Sequence, residues 1–352
     1  MKPEYRIPSM REIEQIPHNG FYVVSTFSGA GGSCLGYRMA GFKVLYANEF
    51  IPAAQETYRA NFPETYLDTR DIREVKAEDI LKITGLKKGE LDLFDGSPPC
   101  ASFSTAGKRE KGWGKVKKYS DTEQRVDDLF FEYARLLRGL MPKVFIAENV
   151  KGLVLGTAKG YFKEIMRELK SCGYRVKASL LNAKWLGVPQ NRERLIIVGV
   201  REDLNMEPVF PKPFKYQYTL RDAIGDLKVV PEPETKLSGK TLEIVKKIKP
   251  GQSGSDVMGK GKYFSLRRLD WNKPAGTVQQ SEARMASTNQ IHPEENRRLS
   301  IKELKRVCSF PDDFILTGTF EQQWERLGRA VPPLMMREIA KTVEREILCK
   351  TV

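Results

Sequence analysis

An apolar run over residues 21–27 ends in Phe27-Ser28-Gly29-Ala30-Gly31-Gly32-Ser33, and a helical pattern over 35–40 follows, closed by Gly41. This order of strand, glycine turn and helix narrows the fold more than any other stretch. It opens a βαβ unit, whose parallel strands need helical crossovers and are covered on both faces. Glycines between strand and helix let a ligand approach the backbone at the helix N-terminus, where unpaired N–H groups point outward. A dinucleotide fingerprint would place a third glycine at position 34, but Cys34 stands there. The turn therefore points to a nucleotide-like cofactor and disfavours a nicotinamide or flavin oxidoreductase.

Strands and helices keep alternating after it. A strand over 43–48 ends in Glu49-Phe50, where a carboxylate can accept from two ribose hydroxyls and an aromatic ring can stack on adenine. A helix over 52–61 and a strand near 65–68 lead to Asp71-Ile72, and Asp71 suits either an adenine amine or a helix cap. The alternating run 91–95 reads as a fourth strand and enters Gly96-Ser97-Pro98-Pro99-Cys100. Two prolines hold the backbone extended and end the strand, so Cys100 is presented at the sheet edge. The loop 108–118 behind it carries six Lys or Arg against one Glu. Two readings stand at that point: a nucleophilic thiol working on a polyanion, or a structural cysteine beside a solvated charge run.

A helix is expected over 122–140, with Val126, Leu129, Phe130, Tyr133, Leu136, Leu137 and Leu140 on one face and Leu129 able to touch cofactor. The strand 144–147 delivers Glu148-Asn149-Val150 to the edge where Cys100 lies. A carboxylate closing an apolar strand is desolvated, which raises its pKa and favours a proton-donating form. A helix over 161–172 precedes a hairpin-like pair of strands, 175–181 and 194–200. Gln190, Arg192 and Arg194 lie between them, with alternation placing both guanidiniums on one face, suited to a base carbonyl or a phosphate.

Periodicity lapses over 202–262, which is rich in Pro, Lys and Gly, with helical pieces at 220–226 and 241–248. This reads as a second, irregular domain. A helix capped by Ser300 runs through Val307, and a long C-terminal helix covers 334–348. A formal charge of +14 points to an anionic partner, nucleic acid foremost. With two histidines, His-based hydrolysis and His-rich metal centres are nearly excluded; five scattered cysteines argue against a disulfide framework and Cys-x-x-Cys zinc sites. No apolar run is long enough to span a membrane, and the N-terminus carries no secretion signal, so an intracellular protein is expected.

Taken in order, Phe-Ser-Gly-Ala-Gly-Gly, Asn-Glu-Phe, Asp71-Ile72, Pro-Pro-Cys, Glu-Asn-Val, Gln-Asn-Arg-Glu-Arg, Arg-Arg-Leu-Ser with Phe-Pro-Asp, and Gly-Arg-Ala-Val-Pro-Pro resemble the cytosine-C5 DNA methyltransferases from about residue 21 to 345. The resemblance implies an α/β fold: a Rossmann-like S-adenosylmethionine domain over 1–201 and 315–352, with a small target-recognition domain and return segment over 202–314. It implies Cys100 as nucleophile at cytosine C6, Glu148 at N3, Arg194 at O2 and Arg192 as a further catalytic residue, with Asn149, Val150 and Gln190 positioning the base. Cofactor residues would be Phe27, Gly29, Gly31, Gly32, Glu49, Phe50, Asp71, Ile72, Pro99, Leu129, Arg329 and Ala330. No metal is implied, and S-adenosylhomocysteine is the product. Double-stranded DNA is the partner, with a cognate restriction endonuclease in the same system. A monomeric cytoplasmic enzyme of prokaryotic or phage type, close to the nucleoid through its DNA, is expected.

Three stretches depart from the family's usual pattern: Ala101 replaces Gln, Val307-Cys308-Ser309 replaces Leu-Gln-Gly, and Arg329 replaces Asn near the cofactor carboxylate. Arg329 is expected either to pair with that carboxylate or to weaken cofactor binding. An RNA cytosine methyltransferase of the same fold would carry a Cys-Phe-Thr signature, and 202–290 contains none. An inactive DNA-binding relative would be expected to lose Cys100 or Glu148 first, and both are present.

Overall fold

The computed structural model describes residues 2–99, 128–155, 158–283 and 288–351, with the backbone of 117–119, 122–124 and 284. Two compact units divide the chain. The larger comprises Glu14–Leu181, Glu193–Lys212 and Met336–Val352, and the smaller comprises Met1–Ile13, Asn182–Arg192 and Pro213–Met335.

After a short helix α1 (Met10–Glu14), the larger unit builds β1 (Tyr22–Thr26), α2 (Gly32–Met39), β2 (Lys43–Asn48), α3 (Pro52–Asn61), β3 (Tyr66–Asp68), α4 (Ala77–Thr84) and β4 (Leu93–Gly96). A two-stranded antiparallel ribbon follows, β5 (Lys117–Tyr119) with β6 (Thr122–Gln124), and then α5 (Leu129–Leu140), β7 (Val144–Val150), α6 (Ala158–Ser171), β8 (Tyr174–Asn182) and β9 (Glu193–Arg201). Seven strands form one sheet in the order β3-β2-β1-β4-β7-β9-β8. The pairs from β3 to β7 are parallel, whereas β9 runs antiparallel to β7. Strand order reverses between β1 and β4, and in an open α/β sheet ligands bind beyond the carboxyl ends at such a point. The central strands carry buried apolar side chains, Val23, Phe94, Phe145 and Ile197 being fully buried, as strands covered on both faces do.

The expected helix over 122–140 is shorter than its pattern. Residues 122–124 are strand, and the helix begins at Leu129, where the buried stripe Leu129, Phe130, Tyr133, Leu136, Leu137 and Leu140 begins. Only that stripe has a core to pack against, and Thr122-Glu123-Gln124 offers no apolar side chain to extend it.

In the smaller unit, α7 (Leu220–Ile224), α8 (Gly239–Val245), α9 (Gly254–Met258), α10 (Ile301–Val307) and α11 (Phe320–Arg329) are joined by irregular segments; α12 (Pro333–Glu346) follows, and from Met336 on it belongs to the larger unit. Four of the smaller unit's helices, α7, α9, α10 and α11, start at capping boxes: Thr219 with Asp222, Ser253 with Asp256, Ser300 with Glu303, Thr319 with Gln322. Both α9 and α11 escape a periodicity reading, yet the Ser-x-x-Asp and Thr-x-x-Gln spacings mark their starts. The composition break near residue 202 is not where the units part. Segment 189–192 is fastened to the smaller unit instead, through Asn191 N to Ala275 O at 2.8 Å and Ala275 N to Pro189 O at 2.9 Å.

Candidate active site

Of the residues singled out for cofactor, Phe27, Gly29, Gly31, Gly32, Glu49, Phe50, Asp71 and Ile72 follow the carboxyl ends of β1, β2 and β3. Phe27, Gly29 and Gly31 all have positive φ, at 54°, 55° and 85°. The left-handed region suits glycine, so the chain turns sharply here and enters α2 with Gly31 as its N-cap. A Cβ on Gly31 would sit 2.2 Å from the Phe62 ring, whereas one on Gly29 would meet nothing within 4 Å. The backbone at Gly29 is thus open to a ligand. Glu49 is buried, and its two oxygens accept from Gly29 N and Ile51 N at 2.7 Å each, so the carboxylate holds the turn from β2. Phe50 is half-buried beside it.

Asp71 lies in the turn after β3 and pairs with Arg73 at 3.0 Å. Arg73 also reaches Asp128 at 2.6 Å, just before Leu129 opens α5. Ile72 and Leu129 are buried, and Ile72 O accepts from Arg135. Sequence reasoning missed Arg73, although a cation two residues from a carboxylate is the available signal.

At the sheet's centre, β4 leads to Pro98, which is buried, and Pro99, which is half-buried. Cys100 and the basic loop 108–116 lie outside the described residues. The neighbouring β7 ends in Glu148, Asn149 and Val150. Asn149 donates from Nδ2 to Pro98 O at 3.0 Å, while its Oδ1 accepts from Val150 N at 2.8 Å. Because β9 is antiparallel to β7, Arg194 stands opposite Val150 at the start of its strand. Its Nε meets Glu148 Oε1 at 2.9 Å, with both side chains largely buried. Burial pushes the Arg194 guanidinium down from its ordinary value, while Glu148 holds it up. A buried acid braced by a buried cation can present a fixed oxygen to a ring nitrogen.

Gln190, Arg192, Arg329 and Ala330 belong to the smaller unit. Arg192 therefore does not share a strand face with Arg194. Its guanidinium is buried and donates to Val278 O at 3.1 Å, Gly328 O at 2.9 Å and Ala330 O at 3.0 Å. A cation at the C-terminus of α11 suits the carbonyls left there. Gln190 is fully buried; its Oε1 accepts from Val278 N and its Nε2 donates to Cys308 Sγ at 3.2 Å. Arg329 forms an i,i+4 pair with Glu325 at 2.6 Å. Among the described residues, no group of three or more His, Cys, Asp or Glu is placed to hold a metal ion, and no helix is long and apolar enough to cross a membrane.

The family described as C-5 cytosine-specific DNA methylase matches residues 21–345. The chain is 34% identical to the Type II methyltransferase M.Sau96I of Staphylococcus aureus, over 97% of this chain and 80% of that protein. With M.MthTI of Methanothermobacter thermautotrophicus it shares 32% identity, over 92% and 97% respectively. Among solved structures, a candidate DNA modification methyltransferase from an Escherichia coli prophage superposes with a TM-score of 0.75 at 21% identity, covering 94% of this chain and 100% of that one. A variant of Spodoptera frugiperda DNMT2 gives 0.68 at 18%, covering 94% and 99%. At those identities the likeness speaks for the fold, which is the Rossmann-like methyltransferase sheet. From a family match across nearly the whole chain, and relatives a third identical over nearly all of it, the chain belongs to the C-5 cytosine-specific DNA methylases and is a DNA (cytosine-5-)-methyltransferase.

Proposed function

We propose that the protein methylates C5 of a flipped-out cytosine within a short specific sequence of double-stranded DNA, through a covalent adduct between Cys100 and C6. The pairing of Glu148 with Arg194 beside the Pro98-Pro99 segment is the observation that supports this most directly. Cytosine C5 is a poor nucleophile. Addition of the Cys100 thiolate to C6 places charge on the ring and makes C5 enamine-like. Glu148 meets that charge at N3 with a proton or a hydrogen bond, and Arg194 holds the O2 oxygen. Once C5 carries the transferred methyl group, loss of its proton to a base re-forms the C5–C6 double bond and expels the thiolate. Both ring atoms are stacked inside a duplex, so the base must leave the helix first.

S-adenosylmethionine, when bound, supplies the methyl group as a sulfonium. The residues present fit such a cofactor: the open backbone at Gly29, the buried carboxylate of Glu49, and Asp71 with Ile72 suit its ribose, adenine and amino-acid portions. Phe27, Gly31, Gly32, Phe50, Pro99 and Leu129 complete the proposed set. Ala330 and Arg329 are proposed for the cofactor's carboxylate end, with Glu325 sharing the Arg329 charge; calorimetry on Arg329→Asn decides whether that cation affects affinity. No metal takes part in the proposed reaction. Asn149 and Val150 position the segment at Cys100. Arg192 and Gln190 act as scaffold in the smaller unit, and the segment over roughly 202–290 reads the DNA sequence, each correct base contact contributing about 1–3 kcal/mol.

Relatives carrying the name Type II methyltransferase support a cognate restriction endonuclease as companion; a monomer acting in the cytoplasm of a microbe is part of the same proposal. Base-resolution bisulfite sequencing of a plasmid recovered from cells expressing the chain, beside Cys100→Ala, tests the reading. Protected cytosines in one recurring sequence, absent from the control, are expected. An unmodified plasmid with soluble protein would reject the DNA substrate and turn attention to RNA.

A further inference from the structure

At the carboxyl end of β4 the Asp95 side chain is 1% exposed. Its Oδ2 accepts from Ser25 Oγ at 2.8 Å and its Oδ1 from Tyr37 OH at 2.9 Å. Ser25 Oγ in turn accepts from Ser28 Oγ at 3.1 Å. Ser28 begins the glycine turn, where its carbonyl accepts from Gly31 N at 2.9 Å, and the next residue, Gly29, donates to Glu49. Thr26 Oγ1 donates to the Asp95 carbonyl at 3.2 Å. One carboxyl thus joins β1 through Ser25, α2 through Tyr37, and β4 itself, shortly before Pro98, Pro99 and Cys100.

The groups facing this carboxyl are Ser25 from β1, Cys34 and Tyr37 from α2, Tyr133 from α5 and Glu148 from β7. None of these neighbours is a cation. Burial, aided by the Glu148 charge and opposed by the Ser25 and Tyr37 hydroxyls, pushes Asp95 up to about 7. An acid here is an unfavourable brace if packing alone is at stake, because an amide would join the same hydroxyls without a buried charge.

We propose that Asp95 is a positioning residue for cofactor binding: through Ser25 and Tyr37 it holds the glycine turn 27–32 in register with the strand that leads to Cys100. This rests on the methyltransferase reading above. Ionised, the carboxylate accepts from both hydroxyls. Protonated, it must donate through one oxygen, and Ser25 or Tyr37 loses an acceptor. The relay to Ser28 then reorients, and the turn with it.

Calorimetric titration of the full chain with S-adenosylmethionine tests this, beside Asp95→Asn, which keeps the shape without the charge. Wild-type affinity should weaken about tenfold from about pH 8 to about pH 6, and Asp95→Asn should bind about tenfold more weakly than wild type at the upper pH with little further loss at the lower. Equal affinities and equal pH profiles in the two proteins overturn the proposal. Should Asp95→Asn show no cooperative melting transition, Ser25→Ala cuts the same relay while leaving the carboxyl in place. A flat wild-type profile together with unchanged affinity in Ser25→Ala then overturns it. Absence of binding by wild type at every pH would sink the cofactor reading itself, and this proposal with it.

Discussion

The carboxamide of Asn149 is bonded to the carbonyl of Pro98 at 3.0 Å, so the carboxyl ends of two neighbouring parallel strands are fastened together just before Cys100. Both groups are buried. Asn149→Ala leaves the Pro98 carbonyl without that donor, and an unsatisfied buried acceptor costs about 1–3 kcal/mol. Tritium transfer from labelled S-adenosylmethionine to plasmid DNA should show kcat lowered by roughly 10–100-fold, a 1 Å misplacement near the chemistry being enough for such a loss. Unchanged kcat in a folded variant would remove Asn149 from the positioning role.

Arg194 and Glu148 test each other. Removing one partner of a buried pair leaves an uncompensated charge and is costly, about 3–5 kcal/mol, so Arg194→Ala should lower the melting temperature and kcat/KM together. Arg194→Lys restores the charge without the planar fork and should recover stability more than activity. Thermal melts and methyl-transfer kinetics on the two variants read the two effects apart.

Stability should respond to pH through Asp95. Its carboxyl titrates near 7 when folded, against an ordinary value of 3.8. Between those values the folded chain holds a proton that the unfolded chain has released. Stability therefore falls as pH rises through that window, and stays at the lower level above it. Asp95→Asn removes this dependence, so at about pH 8 it should melt higher than wild type by roughly 4 °C or more, with the gap closing at about pH 4. Melting curves at both pH values check the sign. A more stable variant that binds cofactor less well is the pattern of a group retained for function.

Gly31 sits at φ 85° with the Phe62 ring 2.2 Å from where a Cβ would lie. Gly31→Ala strains the backbone by about 1 kcal/mol and displaces the ring besides. Cofactor affinity should drop, and Phe62→Leu in the same chain should restore part of the folding loss and little of the affinity. Calorimetry and melting together distinguish the two terms.

In the smaller unit, Phe264 is 72% exposed beside Tyr263, whose φ is positive at 52°, and between Lys262 and Arg267. A solvent-facing ring among cations suits stacking on a base, worth about 1–3 kcal/mol. Phe264→Ala should weaken binding to the methylated sequence about tenfold with no change in cofactor affinity. Fluorescence anisotropy with labelled duplex DNA measures the first, and calorimetry the second.

Much of the larger unit was legible in the chain. The strands over 43–48, 91–95 and 144–147, the helix over 52–61 and the turn at Gly29–Gly31 follow from apolar alternation, glycine and proline alone, because these are local preferences. The order of motifs was enough to identify the family. Arg192 was misread as a strand-face partner of Arg194, since alternation assumes one strand, and here the strand starts at Glu193 and leaves Arg192 tied to the carbonyls of α11. The helix expected from residue 122 failed for a similar reason: a stripe becomes helix only where a core receives it.

Residue order and local propensity were thus enough to determine the alternating α/β architecture and the glycine turn, while the nucleophile role of Cys100 came only with the family resemblance. Tertiary structure alone decided which side chains meet. Glu148 and Arg194 stand 46 positions apart and pair because β9 returns antiparallel beside β7. Asp95 reaches Ser25 across 70 positions and Tyr37 across 58, because parallel pairing sets β4 against β1 and the crossover lays α2 over both. Periodicity carries no information about such distant neighbours. They are selected by strand order and by the need of each buried polar group for a partner.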